Sequence, residues 1–173
     1  MGFGRALTSE EHEVFNNMEV AAQEGELFII DYDGTMNPDE NAPSNRVNHA
    51  SVVALRAMTV FDVNALIITG NGRGTVGDAV SHALGEAFSN YSDELLDRSL
   101  YGQSTGDEDE AYRNTISDFR CHSPDGKTVL LDNASSNTED FEEEVARLNQ
   151  TNFYVIDPES SDDGLTFGEW ANA

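Results

Sequence analysis

Two aspartates one residue apart, Asp31 and Asp33, follow an apolar run and precede Gly34-Thr35 in the stretch LFIIDYDGTMNPDE, residues 27–40. A carboxylate pair at this spacing can divide the work of phosphoryl transfer. One carboxylate attacks phosphorus; the other protonates the leaving oxygen and later activates water. In a strand, residues i and i+2 face the same way, so both would reach one substrate if the chain stays extended. Gly34 then permits a sharp turn. Two other readings compete: an acidic turn that only caps local structure, and a calcium loop. An EF-hand register starting at Asp31 requires glycine at its sixth position and glutamate at its twelfth. Those positions are Met36 and Ala42, so that register fails.

The elements that must carry the pair follow from periodicity. TSEE at 8–11 reads as a capping box opening a helix over 8–24 with Val14, Met18, Ala21 and Ala22 at helical spacing, ended by Gly25. Leu27–Ile30 is a short buried strand, and Pro38 and Pro43 break the loop after it. Ser44 is read as the cap of a second helix whose inner face is Val47, Ala50, Ala54, Ala57 and Met58. ALIIT at 65–69 is a strand running into the glycine-rich turn GNGRG, and Val76, Val80, Ala83 and Ala87 mark a third helix. RSLYG at 98–102 is a further strand candidate and 109–120 a further helix candidate, separated by the polar loop STGDEDE. KTVLLD at 127–132, a helix over 138–148 facing inward with Phe141, Val145 and Leu148, and the strand NFYVID at 152–157 complete the pattern. Short apolar runs alternating with amphipathic helices, without hairpin turns between them, predict a parallel sheet covered on both faces. The expectation is one α/β domain over 1–173, an open, doubly wound, mostly parallel sheet of five strands. Its core spans about 25–157, preceded by the helix 8–24 and followed by an irregular tail, 158–173. Ligands in such folds bind at the carboxyl ends of the strands, near the point where strand order reverses. Three of the strands end in Asp31, Thr69 and Asp132.

Composition narrows the function classes. The 173 residues carry 33 acids against 9 bases, a net charge of −24 spread along the whole chain. Such a surface repels itself in dilute buffer, whereas at 1 M salt the Debye length is only about 3 Å. This acidity resembles that of proteins from extreme halophiles and implies a high-salt cytosol, or a virion if the chain is virus-encoded. No basic face for nucleic acid can be assembled from one lysine and eight arginines. No apolar run approaches the 18 residues of a membrane span, and the N-terminus lacks the basic-then-apolar order of a signal peptide. The single cysteine, Cys121, excludes an internal disulfide. His12, His49, His82 and His122 share no metal-ligand spacing, and Cys121-His122 is a weak metal pair.

An apolar strand followed by D-x-D-G-T resembles the first motif of the haloacid dehalogenase superfamily, mostly phosphatases and phosphotransferases. ALIITG resembles its second motif, a strand ending in Thr or Ser before Gly. The segment GKTVLLDNASSNTEDFEEEVARLNQTNFYVID resembles the region holding its lysine and its metal-binding aspartate, with Lys127, the chain's only lysine, near the strand start. The resemblance covers roughly 25–157 and implies a Rossmann-like fold and a Mg²⁺-dependent phosphohydrolase acting through an aspartyl-phosphate. It implies Asp31 as nucleophile and Asp33 as general acid and base, with a backbone carbonyl on the metal. Thr69 and the Gly70 amide would hold phosphate oxygens, Lys127 would offset charge between nucleophile and phosphate, and Asp132 would bind Mg²⁺. Two carboxylates facing a phosphate dianion need a cation between them, which agrees with those roles.

The fourth motif departs from the family, which usually carries a second acid there. Asp132 is followed by Asn133, which could ligate through its carbonyl; Glu139 or Asp140 could instead reach in, or simply open the next helix. About 30 residues separate Thr35 from Ala65 and about 25 separate the third strand from Lys127, too few for a cap domain. Capless members of the family act on large substrates or close their sites by oligomerising, so the expected partners are a phosphorylated substrate and a homo-oligomer or larger assembly. Arg73, just past the second motif, is the candidate substrate contact. The alternative is a non-catalytic module of the same fold, with an assembly or binding role.

Overall fold

The computed structural model of the protein describes residues 5–38, 46–103, 110, 113–115, 117–118, 126–133, 135–148, 152–158 and 164–173. Helix α1 (Ser9–Glu24) opens with the expected box: Glu11 N donates to Thr8 Oγ1 (3.2 Å), and the Glu11 side chain accepts from Thr8 N. It ends at Gly25, whose φ of 64° suits a residue without Cβ. Strand β1 (Leu27–Asp31), helix α2 (His49–Phe61), strand β2 (Asn64–Ile68), helix α3 (Arg73–Leu84) and helix α4 (Ser89–Arg98) follow. Strand β3 (Thr128–Leu131), helix α5 (Ser135–Arg147), strand β4 (Phe153–Ile156) and helix α6 (Phe167–Asn172) complete the order. Asn48, not Ser44, caps α2, its side chain accepting from Ser51 N at 3.0 Å; Ser44 lies outside the described residues. So do Cys121, His122, most of the STGDEDE loop and half of the candidate helix 109–120.

All strands are parallel, in the order β2-β1-β3-β4. The chain therefore leaves central β1 to one side for β2 and later returns on the other for β3. Alternate strand residues enter two buried clusters, as the period of two requires. Phe28, Ile30, Ala65, Ile67, Val129 and Leu131 pack with residues of α1 through α4 and α6. Leu27, Ile29, Leu66, Ile68 and Leu130 pack with Phe141 and Val145 of α5. Among the described residues no helix is long and apolar enough to cross a membrane.

Two expectations are corrected. Among the described residues the sheet has four strands, not five. Residues 98–102 contribute only a bridge at Leu100, whose N donates to Ile67 O and whose carbonyl accepts from Thr69 N. Helix α4 runs through Arg98, and the Ser99 hydroxyl, not a backbone carbonyl, accepts from Ile67 N (2.9 Å) while donating to Leu95 O. The backbone then turns at Gly102, φ 63°, so no ladder can grow. The tail, in turn, is not irregular throughout. Thr166 and Glu169 form a second capping box over α6, and Trp170, fully buried, donates from Nε1 to Ser51 Oγ at 3.0 Å. Asn17 of α1 fastens the same helix by donating to the Trp170 carbonyl (2.9 Å).

Candidate active site

The register of the sheet brings three of the predicted polar residues together. Asp31 ends β1 opposite Ile68, the residue before Thr69, and Ile30 pairs with Leu131, the residue before Asp132. Asp31, Thr69 and Asp132 thus stand at the carboxyl ends of three adjacent strands, where the strand order reverses about β1. Thr69 and Asp132 are buried, at 3% and 2% exposure.

Beyond Asp31 the chain does not stay extended. The Tyr32 carbonyl accepts from the amides of Thr35, Met36 and Asn37 (3.3, 3.0 and 2.8 Å), wrapping residues 32–37 into a tight turn. Gly34, with φ of 76°, occupies the left-handed region there. The turn places the Thr35 hydroxyl 3.2 Å from Asp31 Oδ2, to which it donates, and leaves Asp33 exposed. The Asp33 carboxylate is held from the neighbouring strand end by Asn71 Nδ2 at 2.5 Å. Asn71 N also donates to Thr69 Oγ1 (3.1 Å), and Gln103 N and Gly102 N strap this loop through the carbonyls of Thr69 and Asn71. Thr35 and Asn71 were not singled out from the sequence, although Thr35 lies inside D-x-D-G-T and Asn71 two residues after Thr69.

Asn133 joins the turn from β3. The outer atom of its side-chain amide lies 3.0 Å from the Asp33 carbonyl oxygen and 3.1 Å from Asp31 Oδ2. With nitrogen in that place, the amide donates to both oxygens. With oxygen there, the Asn133 carbonyl faces two other acceptors, the Asp33 carbonyl and Asp31 Oδ2. Adjacent ligands of an octahedral Mg²⁺ shell, bonded at about 2.1 Å, stand about 3.0 Å apart. The two spacings from Asn133, to the Asp33 carbonyl and to Asp31 Oδ2, match the separation that a small hard cation would require. Among the described residues no three acid, histidine or cysteine side chains group around a metal position, so such a cation would depend on carbonyl oxygens as well as carboxylates.

Burial pushes the Asp31 carboxyl well above the usual carboxylate range. The Asp132 carboxylate and, less strongly, that of Asp33 push the same way, against the Thr35 hydrogen bond. The Tyr32 phenol, buried beneath the turn, is pushed up to about 12 by its desolvation and stays protonated.

Two predicted residues do not join this group. Lys127 stands level with Glu26, at the opposite end of the sheet from Asp31, because Leu27 N donates to its carbonyl. Five strand residues, roughly 16 Å at about 3.3 Å each, separate the two levels. Its ammonium lies 3.3 Å from Glu26 Oε1, 3.3 Å from the Ala173 carbonyl oxygen and 5.0 Å from the centre of the Tyr154 ring. Arg73 opens α3 next to the Gly70–Gly72 turn, but its guanidinium reaches Asp97 (2.5 Å) and the Leu96 carbonyl on α4. Gly70 itself is exposed at the mouth of the group.

Compared with protein-family models, with curated proteins and with solved structures, the chain matches none. The functional reading rests on the geometry of the site and on the motif resemblance.

Proposed function

We propose that the protein is a phosphohydrolase of the haloacid dehalogenase type, with a doubly wound sheet, acting through an aspartyl-phosphate on Asp31. One observation carries this reading: at the reversal of strand order, the Asn133 amide lies 3.0 Å from the Asp33 carbonyl oxygen and 3.1 Å from Asp31 Oδ2. Asp31, Asp132, the Asp33 carbonyl and Asn133 would hold Mg²⁺, which would supply positive charge beside a phosphate dianion.

The chain's own residues account for the proton and bond changes. Asp31 attacks phosphorus with one carboxylate oxygen, and the ester P–O bond breaks as Asp33 delivers its proton to the leaving oxygen. Water then attacks the phosphorus of the aspartyl-phosphate, giving its proton to the Asp33 carboxylate while the bond to Asp31 breaks. Inorganic phosphate leaves, with Asp31 restored and Asp33 again protonated. Asn71 fixes the carboxylate that shuttles this proton, and Thr35 orients the nucleophile. Thr69 Oγ accepts from Asn71 N, so its hydroxyl hydrogen can turn towards a phosphate oxygen, beside the Gly70 amide.

The test is phosphate release from p-nitrophenyl phosphate in molar KCl, with and without Mg²⁺, beside Asp31→Asn. Mg²⁺-dependent turnover abolished by that change is the expected result. A second reading draws on the placement of the two cations: Lys127 is engaged by Glu26 and Arg73 by Asp97, both away from Asp31. A folded protein without turnover would favour the non-catalytic module of the same fold.

A further inference from the structure

In a chain with 33 acids and 9 lysines and arginines, two of the arginines, Arg46 and Arg56, line one cleft apart from Asp31. A cleft of about 1110 Å³ lies between α2, α3 and residues 164–167. Arg46, His49, Arg56 and His82 line it, and among the described residues Asp78 is the one acid in its lining. Val52 and Phe167 add apolar wall. None of Asp31, Asp33, Thr69, Gly70 or Asp132 reaches it.

The walls are fixed by hydrogen bonds. Arg56 spans the two helices, its Nε donating to the Ala83 carbonyl of α3 at 3.0 Å, so its charge has a set position. Asn48, the cap of α2, donates from Nδ2 to the Leu165 carbonyl (2.9 Å), and Asn37 Nδ2 donates to the Arg46 carbonyl (2.8 Å). Phe167 packs edge-on to His49, ring centres 5.5 Å apart. The volume lies just above the usual range of small-molecule sites, about 300–1,000 Å³, which combine apolar walls with a few fixed polar groups. Direct contact of an anion with the Arg46 and Arg56 guanidinium groups does not depend on long-range attraction, which molar salt screens within about 3 Å.

We propose that this cleft binds a small organic anion, an apolar or aromatic body carrying a phosphate or carboxylate that Arg46 and Arg56 hold. The site is separate from the Asp31 group and independent of the chemistry proposed there.

The test uses the full chain in molar KCl and two dyes with the same aromatic body. These are 1-anilinonaphthalene-8-sulfonate, an anion, and N-phenyl-1-naphthylamine, which is uncharged. Fluorescence titration should show one anionic dye bound per chain, at least about tenfold more tightly than the neutral one, as a charge-assisted contact implies. Arg46→Gln, at an exposed side chain, should weaken the anionic dye by about tenfold and leave the far- and near-ultraviolet circular dichroism unchanged. Arg56→Gln should do the same, although it also removes the bond to Ala83, so Arg46→Gln carries the decision. Asp31→Asn should not change the titration. Displacement by phenyl phosphate but not by benzoate would assign a phosphate ligand, and the reverse a carboxylate. Equal binding of the two dyes, several dyes per chain, or an Arg46→Gln titration superimposing on the parent's would overturn the proposal.

Discussion

A Cβ on Gly34 would land on the side-chain amide of Asn133. The two residues belong to different strands' ends, so with any other residue at 34 the Asn133 side chain would have to shift out of the D-x-D-G-T turn. Gly34 also has φ of 76°, where a side chain costs about 1–2 kcal/mol even without a neighbour. Gly34→Ala should therefore lose on the order of 2–3 kcal/mol in chemical denaturation, the backbone strain plus displacement of Asn133. Phosphate release should fall with it. A variant as stable as the parent would mean that the turn opens freely and that Asn133 is not held against it.

Asn133 stands where the motif that this segment resembles usually carries a second acid, and its amide sits within 3.1 Å of both Asp31 and the Asp33 carbonyl. Asn133→Asp should lower the melting temperature in the absence of metal, because a further carboxylate joins Asp31 and Asp132. It should also tighten Mg²⁺ by about tenfold, since ligand charge governs the affinity of oxygen sites. The measurement is the melting temperature against Mg²⁺ concentration in molar KCl, for the parent and the variant. No Mg²⁺-dependent shift in either protein would assign the amide to hydrogen bonding alone.

The raised carboxyl of Asp31 fixes the sign of a pH effect. In the unfolded chain an aspartate titrates near 3.9; in the folded protein burial, then Asp132, keep Asp31 protonated to higher pH. Between the two values the native state binds more protons, so stability falls as pH rises through that window. The contribution is fully present below the unfolded value and is lost once pH passes the folded one. Without metal, Asp31→Asn should be more stable than the parent at neutral pH by on the order of 1 kcal/mol, and the gap should close towards pH 4. Saturating Mg²⁺ should narrow or reverse it, because a cation favours the ionised form. Urea denaturation of both proteins across that range is the check, and a pH-independent gap would contradict the burial of an ionisable Asp31.

The strands were legible because apolar runs bounded by glycine and polar turns leave little choice: all four observed strands fall within one residue of the predicted ends. What failed depended on partners that a local pattern does not display. RSLYG has strand-like residues, yet the helix before it continues through Arg98 and the Ser99 hydroxyl replaces a ladder acceptor. Helix α6 is six residues long, too short for apolar periodicity, although Thr166 and Glu169 repeat the box that was read at Thr8 and Glu11. At the site, Asp31, Thr69 and Asp132 were recoverable as strand ends, and their adjacency required the strand order. Asn71 was not, because its role lies in reaching Asp33 across two strand ends. Lys127 was misplaced for a geometric reason: a residue that precedes a parallel strand stands at the end of the sheet remote from its carboxyl edge.

That placement separates a structural lysine from a catalytic one. Glu26 is 3% exposed, and its carboxyl is pushed up by desolvation, with Lys127 pulling it back. Lys127→Met keeps the aliphatic stem near Tyr154 but leaves Glu26 buried without its cation, a change that destabilises proteins by several kcal/mol when both groups are buried. The Lys127 side chain is 25% exposed, so solvent screening reduces the expected loss to roughly 1–2 kcal/mol. Adding Glu26→Gln should recover most of that loss, since the stranded charge is then gone. Turnover per folded molecule should stay within about twofold of the parent in both variants, because the ammonium stands a whole strand length from Asp31. The paired measurement is denaturation midpoint and Mg²⁺-dependent phosphate release on the same preparations. A folded Lys127→Met protein without turnover would return the lysine to the phosphate and overturn its assignment to Glu26.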